Sequence, residues 1–395
     1  MIRRKKQKIN NNPFYDSNLK ARHASAKRFK KFTLTSLIFS ILFLAFFLFD
    51  IVGKGIPAFH VAYIQVDVTF NEKSLNDTRF AVDKKYRDVV SRAWLRDIPL
   101  LVKENPNFMN TTLATWVLAD DQVDQYLKGH NHKLKEEEIA LVDELNAQGL
   151  IQKKFNTIFF TNGDSKIPEY AGMYSAIIGS ILTLIITMLV AFPIGVMTAI
   201  YLEEFAGDNK FTRFIEININ NLAAIPAILF GLLGLAIFIN LFGIPRSSPL
   251  VGGLTLALMT LPIIIVSSRA ALRAVPDSIR QAGYGLGLNK IQVTKDHVLP
   301  LAFPGILTGS ILGLAHAMGE TAPLIIIGMI AFIPDAPSMV TQAATVMPAQ
   351  LFTWAGMPEG MYIEKTAAGI MVLLTILISL NAIAIYLRKK FEVKW

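Results

Sequence analysis

Gln281-Ala-Gly-Tyr-Gly-Leu-Gly287, followed after nine intervening residues by His297-Val-Leu-Pro300, lies in a short polar break between two long apolar runs. Read locally, it is two small helices joined at a glycine and stopped by a proline. Pro276 suits a first helical turn, and Asp277 or Ser278 can cap free backbone N–H groups. The helix then runs through Arg280, Ala282 and Tyr284, and Gly285 and Gly287 permit the left-handed conformation that ends it. A second helix covers about residues 290–298 and runs into Pro300. Such a hairpin on the cytoplasmic side of a membrane protein can dock onto a soluble motor and transmit force. Spacing alone leaves a second reading open, a helical re-entry between two spans with no partner.

Working outward, the flanking runs set the class. The chain has 395 residues, 52% of them hydrophobic and only 17% charged, with a mean hydropathy of +0.43. A soluble protein of this size could not hide so much apolar surface in long unbroken runs. Charge is unevenly spread: residues 1–31 carry eleven Lys/Arg and one acid, residues 54–169 fifteen basic and seventeen acidic side chains, and residues 170–395 thirteen and eleven. The expected domains are a basic cytoplasmic tail, 1–32, a first transmembrane helix, 33–53, an extracytoplasmic α+β domain, 54–169, and a membrane domain, 170–395. The net charge of +9 comes mainly from the tail. It reads as a positive-inside flank, not as a nucleic-acid surface. With no Cys, disulfides, thiolate metal sites and Cys nucleophiles are excluded.

The uncharged run 32–49 spans 18 residues and no small-residue cleavage site follows it, so it reads as an uncleaved anchor. In the next segment Ile64, Val66, Val68 and Phe70 alternate with polar residues, which predicts a strand. Residues 79–97 and 133–146 look helical, the second ending at Gly149, and 155–161 reads as another strand. His130 and His132 have no third ligand in sight and read as a polar loop. Five further apolar spans follow, at 171–202, 217–245, 247–268, 298–334 and 366–387. Asn218, Asn220 and Asn221 are expected to precede their span. Pro193, Pro226, Pro262 and Pro323 recur inside the spans, where each removes a backbone donor and kinks its helix. Six crossings from a cytoplasmic N-terminus place both termini and the 270–300 loop in the cytoplasm. The loop 203–216 runs against the positive-inside rule, with four acids against two bases, but acids weigh little in that rule.

An acid at mid-membrane costs roughly 2.5–3.5 kcal/mol on insertion scales, so Glu320 reads as paired or functional. His316 lies one helical turn earlier on the same face. Arg269 directly follows the span 247–268, and its planar fork can donate two hydrogen bonds to an oxyanion. Arg269, His316 and Glu320 are therefore the candidate functional residues of the membrane domain, with Glu320 orienting the other two. Two alternatives stay open: Arg269 as a snorkelling flank residue, and His316–Glu320 as a structural pair locking two helices.

The hairpin resembles the "EAA" loop of ABC-importer permeases, whose pattern is Glu-Ala-Ala, three residues, Gly, nine residues, then Ile-x-Leu-Pro. Gly287, Leu299 and Pro300 fall in register, while Gln281, Gly283 and His297 replace the usual Glu, Ala and Ile. Gly172-Met-Tyr-Ser-Ala-Ile-Ile-Gly179, Tyr201-Leu-Glu-Glu204, Asn221-Leu-Ala-Ala-Ile-Pro226 and above all Gly319-Glu-Thr-Ala-Pro323 are similar to the core spans of phosphate ABC transporter permeases of the PstA type. The resemblance covers roughly 170–390. It implies an all-α polytopic membrane protein, six transmembrane helices with a type I ABC importer permease core, plus the small α+β domain between helices 1 and 2. It also implies ATPase coupling through Gln281, Ala282, Gly283, Gly287, Leu299 and Pro300, and a translocation path past Arg269, His316, Glu320 and Thr321. The family commonly has Arg where this chain has His316; a neutral imidazole there would lower the positive potential offered to phosphate, while a protonated one would keep it. The implied partners are a second, PstC-like permease, PstB-like ATPase subunits, a periplasmic PstS-like phosphate-binding protein, membrane lipid and inorganic phosphate, with no nucleic acid. No cofactor or metal is implied. The chain has no Gly-x4-Gly-Lys-Ser/Thr sequence, so it is read as a transporter subunit and not an enzyme, in a bacterial inner membrane. The alternatives are a permease for sulfate, molybdate or phosphonate, an intramembrane enzyme using His316 and Glu320, or a receptor.

Overall fold

The computed structural model describes residues 19–330 and 332–391. The basic residues 1–18 and residues 392–395, on which part of the charge reading falls, lie outside the described residues. Helix α1 (Leu19–Gly55) is one uninterrupted helix of 37 residues. No proline interrupts it, so it begins well before the expected span 33–53 and carries the run Lys27-Arg-Phe-Lys-Lys31 on its own turns.

The next segment builds a three-stranded antiparallel sheet from β1 (His60–Phe70), β2 (Thr111–Leu118) and β3 (Ile151–Phe155), in the order β2-β1-β3. The period-two alternation in β1 does what it predicts: Ile64, Val66, Val68 and Phe70 are buried in one core. Helix α2 (Asp121–Leu127) and helix α3 (Glu136–Ala147) cover that core, the latter through Leu141, Val142 and Leu145. Gly149 follows α3 with φ +73°, the backbone a glycine stop requires.

Two expectations for this segment fail, both through side chains that capture backbone. Residues 79–97 are not one helix but two 3₁₀ turns, Thr78–Ala81 and Lys84–Tyr86, and a short helix, Arg92–Arg96. Asp77, Asp83 and Ser91 each accept a hydrogen bond from the backbone N–H two residues on, which closes a local turn in place of a helix. Residues 155–161 are not a strand. β3 ends at Phe155, Asn156 accepts from Phe159 N–H at 3.2 Å, and Ile158–Thr161 is helical. The sequence reading names no strand at β2.

Among the described residues, five helices are long and apolar enough to cross a membrane, or six if one bent pair counts as a span. They are α1; α4 (Tyr174–Ile200), continued by a π turn to Phe205; the bent pair α5 (Lys210–Ala223) and α6 (Ala227–Gly234), the latter continued to Leu241; α7 (Pro249–Arg273); α9 (Leu299–Gly319), continuous with a wide-wound start at Lys290; and α11 (Gly360–Phe391). The hairpin helix α8 (Asp277–Gly285) and the short helix α10 (Ala322–Ile326) lie between them. α7 is central, and small residues let its neighbours close on it. A Cβ on Gly309 of α9 would lie 2.2 Å from Ser267 Oγ, and one on Gly253 would lie 2.5 Å from Ile186 Cβ of α4.

The prolines divide into two kinds. Pro193 and Pro262 sit inside α4 and α7, as does Pro304 in α9. Pro226 and Pro323 do not kink continuous helices; they start new ones, α6 and α10, after breaks. At Pro226 the chain turns by 102°, so Asn218, Asn220 and Asn221 lie on a separate first limb, α5. The expected span 298–334 ends at Gly319. Glu320 is extended (φ −80°, ψ 120°) and α10 follows. The two broken segments meet: a Cβ on Gly231 of α6 would lie 2.8 Å from Pro323 Cα.

Candidate functional site

The hairpin is built as its sequence requires, with two refinements. Pro276 stands at the cap position, one residue before α8, and makes no side-chain cap bond; Asp277 is the first helical residue, where its charge suits the helix N-terminus. Gly287 alone takes the left-handed conformation (φ +81°). Leu288 N–H donates to Gly283 O at 3.1 Å and Gly287 N–H to Tyr284 O at 2.9 Å, the paired bonds of a glycine-terminated helix. Asn289 and Gln292 then cap the second helix reciprocally, each backbone N–H donating to the other's side chain at 2.9 Å. The two limbs touch at Gly283, where a Cβ would lie 2.7 Å from Val293 Cγ2. Gly283 thus lets the hairpin close, while Gln281 and Ala282 stay exposed beside it. Leu299 and Pro300 open α9. The tip presents Tyr284, Leu286 and Ile291 to the outside, Leu286 at 80% exposure.

Sequence reading missed what holds this hairpin. Arg280 donates from Nη2 to Glu204 Oε1 at 2.6 Å and to Leu272 O at 3.0 Å, and from Nη1 to Val275 O at 2.8 Å. The Glu204 side chain is only 4% exposed, and its hydrogen bond holds the Arg280 guanidinium above its usual range. Arg273 donates to Glu203 at 2.7 Å. The signal is the acid excess in loop 203–216: Glu203, Glu204 and Glu216 pair with the arginines at the end of α7 and on α8, while Asp208 pairs with Arg213 of α5.

Arg269 belongs to the same cluster. Its Nε donates to Glu203 Oε2 at 3.3 Å and its Nη2 to Glu216. The expectation that Glu320 orients both Arg269 and His316 is not met. His316 Nε2 and Glu320 Oε1 are paired at 3.4 Å, but Arg269 is elsewhere. α7 and α9 run antiparallel, with Gly313 against Ile263 and Ile264. Arg269 and His316 lie on opposite sides of that crossing, about 12 Å apart along the axis at 1.5 Å per residue. The reason is local: Glu203 and Glu216, brought by α4 and α5, reach the guanidinium first. Thr321 sits in the break after Glu320 as the residue before α10, its carbonyl accepting from Ile325 N–H at 3.0 Å. His316, Glu320 and Thr321 are therefore together at irregular backbone that α6 packs against.

A second buried polar cluster joins the sheet domain to α11, and the sequence reading, which started that span at residue 366, did not find it. Glu364 accepts from Lys128 Nζ at 2.9 Å and Gln125 Nε2 at 2.7 Å, and pairs with His130 Nδ1 at 2.7 Å. Lys128 also bonds Asp124 at 2.6 Å. Lys365 Nζ donates to the carbonyls of Pro168 and Ala171, both at 2.6 Å. Trp354 Nε1 donates to Asp164 at 2.8 Å. Burial pushes the carboxyls of Asp164 up to about 6 and of Asp120 up to about 7, the latter with help from Asp121. His130 and His132 lie in the irregular loop 130–135, as expected; His130 is in addition a member of this cluster, and the His132 ring packs edge-on against Tyr126.

Comparison with known proteins follows this division. Residues 170–393 match the family model described as "Binding-protein-dependent transport system inner membrane component". Residues 16–99 and 77–137 match a domain of unknown function. The "Probable ABC transporter permease protein YqgI" of Bacillus subtilis (strain 168) is 33% identical over 188 residues, 47% of this chain and 63% of that protein. The "Phosphate transport system permease protein PstA" of Mycobacterium leprae (strain TN) is 37% identical over 160 residues, 40% of this chain and 52% of that one. The protein of that name from Yersinia pestis is 31% identical over 224 residues, 55% of this chain and 74% of that one. The chain spans 63% and 52% of the length of the first two.

Proposed function

Since the chain belongs to the family of binding-protein-dependent transport system inner membrane components, we propose that it is the transmembrane permease subunit of an ATP-driven inorganic phosphate importer. It forms half of the translocation pathway and couples to an ATPase through the 276–300 hairpin. One observation carries the reading: the hairpin is a stiff lever with an apolar tip. It is capped at both helices, closed at Gly283, bolted by Arg280 to Glu204 and the end of α7, and it leaves Tyr284, Leu286 and Ile291 uncovered. A partner that grips the tip moves α7 and α9 with it.

The remaining parts follow from that reading. The chain contains no phosphate-binding loop of its own, so ATP is hydrolysed by PstB-like partners. A PstC-like permease completes the pathway, and a PstS-like binding protein delivers the anion. The membrane is the bacterial inner membrane, with the basic flanks of α1 and α11 in the cytoplasm and the sheet domain outside. His316, Glu320 and Thr321 line the path where the backbone is broken, since irregular backbone at membrane depth is tolerated where it faces protein or a water-filled cavity. Arg269, nearer the hairpin end of α7, meets the anion only when Glu203 and Glu216 release it. The relatives named for phosphate transport support the choice of substrate.

The test is reconstitution of the chain with its partner permease, ATPase and binding protein in proteoliposomes. Phosphate uptake that requires ATP and is lost in Leu286→Asp, with the complex still assembled, is the expected result. Failure of the chain to associate with any ATPase overturns the reading, and uptake of sulfate, molybdate or a phosphonate in place of phosphate changes its substrate.

A further inference from the structure

The sheet domain carries a cleft of about 640 Å³ whose wall is dominated by five cations: Arg79, Lys84, Arg87, Arg92 and Arg96. Only two carboxylates share it, and both are taken. Asp77 pairs with Arg79 at 2.8 Å and Asp88 with Arg92 at 3.8 Å. Among the described residues, the side chains of Lys84, Arg87 and Arg96 make no ion pair and no hydrogen bond. Three like charges gathered in one concavity repel one another, and against five cations the two carboxylates of the lining leave the cleft with an excess of positive charge.

Arg87 adds a second, independent sign. Its Nε is buried with no hydrogen-bond partner. A buried N–H of a charged group left without an acceptor is costly, and native structures rarely leave one so. The guanidinium lies over the Phe80 ring, 5.1 Å from its centroid. That contact uses the face of the guanidinium and leaves its in-plane N–H groups as donors. The local fold explains the convergence. The turns capped by Asp77 and Asp83 and the helix capped by Ser91 fold 77–96 back on itself, so that cations spaced along the sequence meet around one hollow.

We propose that this cleft binds an oxyanion of the phosphate class, held by Arg87, Lys84 and Arg96, at a site separate from the one at His316 and Glu320. That phosphate is the natural occupant rests on the transport reading above; that the cleft takes an oxyanion does not. The anion supplies acceptors to the unsatisfied guanidinium and neutralises the excess charge. In a transporter working in the proposed orientation, it would stage the substrate outside the membrane.

The experiment uses the full chain in neutral detergent, without its partners, and equilibrium dialysis with radiolabelled inorganic phosphate at low ionic strength. The expected result is saturable binding, displaced by sulfate and weakened by salt. Affinity should fall at least tenfold in Arg87→Gln/Arg96→Gln and stay unchanged in Lys103→Gln, at an exposed lysine outside the cleft. Both variants are checked for an unaltered melting curve, and Arg87→Lys is expected to retain part of the affinity. A parallel arm in nanodiscs of anionic lipid separates sources: lipid phosphate retained by the wild type and lost in the double variant also supports the site and names a headgroup as its occupant. Phosphate binding that the double variant leaves unchanged overturns the proposal, even where ATP-driven uptake proceeds. So does a wild type that binds no oxyanion but loses, in the double variant, its association with an acidic binding protein. Absence of ATP-driven uptake with phosphate still held in the cleft would instead refute the transport reading alone.

Discussion

The bolt between Arg280 and Glu204 offers the sharpest test of the lever. In Arg280→Gln the fork that spans Glu204, Leu272 O and Val275 O is lost, and a carboxylate only 4% exposed is left with no cation. Hydrogen bonds to charged groups contribute about 1.5–3 kcal/mol each, and breaking a buried pair by removing one partner costs about 3–5 kcal/mol. Arg280 itself is 16% exposed, so solvent screens part of this and the lower end applies, about 3 kcal/mol. At 1.4 kcal/mol per decade that is roughly a hundredfold shift toward an unbolted hairpin. Hydrogen exchange at the amides of Gly287 and Leu288, which close α8, reads the shift directly and should accelerate by about that factor. In proteoliposomes the ATPase should still turn over while phosphate moved per ATP falls. Arg280→Lys keeps the charge but not the fork, and should fall between the two. Unchanged exchange at Gly287 and Leu288 in Arg280→Gln would refute the bolt. Accelerated exchange with unchanged transport per ATP would refute the lever.

Further outcomes follow from the same geometry. Gly287→Ala forces a side chain into φ +81° and should destabilise the hairpin by about 1 kcal/mol, with Gly287→Asn milder; equal exchange rates in both would contradict the strain argument. Asp120 and Asp164 hold their protons more tightly folded than unfolded. Their stabilisation is therefore complete below the ordinary carboxylate range near pH 4 and is lost as pH rises through about 6 and 7. The melting temperature of the full chain should decline from pH 5 to pH 8, and Asp120→Asn should flatten the slope; a rising profile would overturn the assignment. Glu364→Ala removes the hub of three contacts and should cost about 3–5 kcal/mol, read as faster proteolysis of the sheet domain while α4, α7 and α9 stay protected.

How much of this was legible depends on whether the deciding force was local. The hairpin was readable because Pro276, Gly287 and Pro300 act within a few residues of themselves, and β1 because one face of a strand repeats every second residue. Residues 79–97 were misread because their apolar spacing fits a helix, while Asp77, Asp83 and Ser91 divert the backbone into turns. The breaks at Pro226 and Glu320 were hidden for the opposite reason: hydropathy is blind to a 102° turn between two apolar limbs. At the site, His316 and Glu320 were found as a pair because one helical turn joins them. Arg269 was grouped with them on chemistry alone, and its true partners, Glu203 and Glu216, come from two other helices. Glu364 and Lys365 were invisible because a charge at the head of an apolar run looks like a boundary, and only the tertiary fold reveals that it is enclosed.

The junction at Glu364 and Lys365 also limits how this polypeptide can be rearranged. A segment inserted between two spans is ordinarily a cassette that can be cut out and its ends rejoined. Here the cassette's lysine, glutamine and histidine satisfy a carboxylate on the last helix, and the last helix's ammonium is satisfied by the strap that leads out of the cassette. Excising residues 60–155 alone would strand an anion at the head of α11, so a shortened chain must carry a neutral residue at 364 to fold. Chimeras built with and without that compensating exchange would show whether the extension is an accessory or has become a keystone.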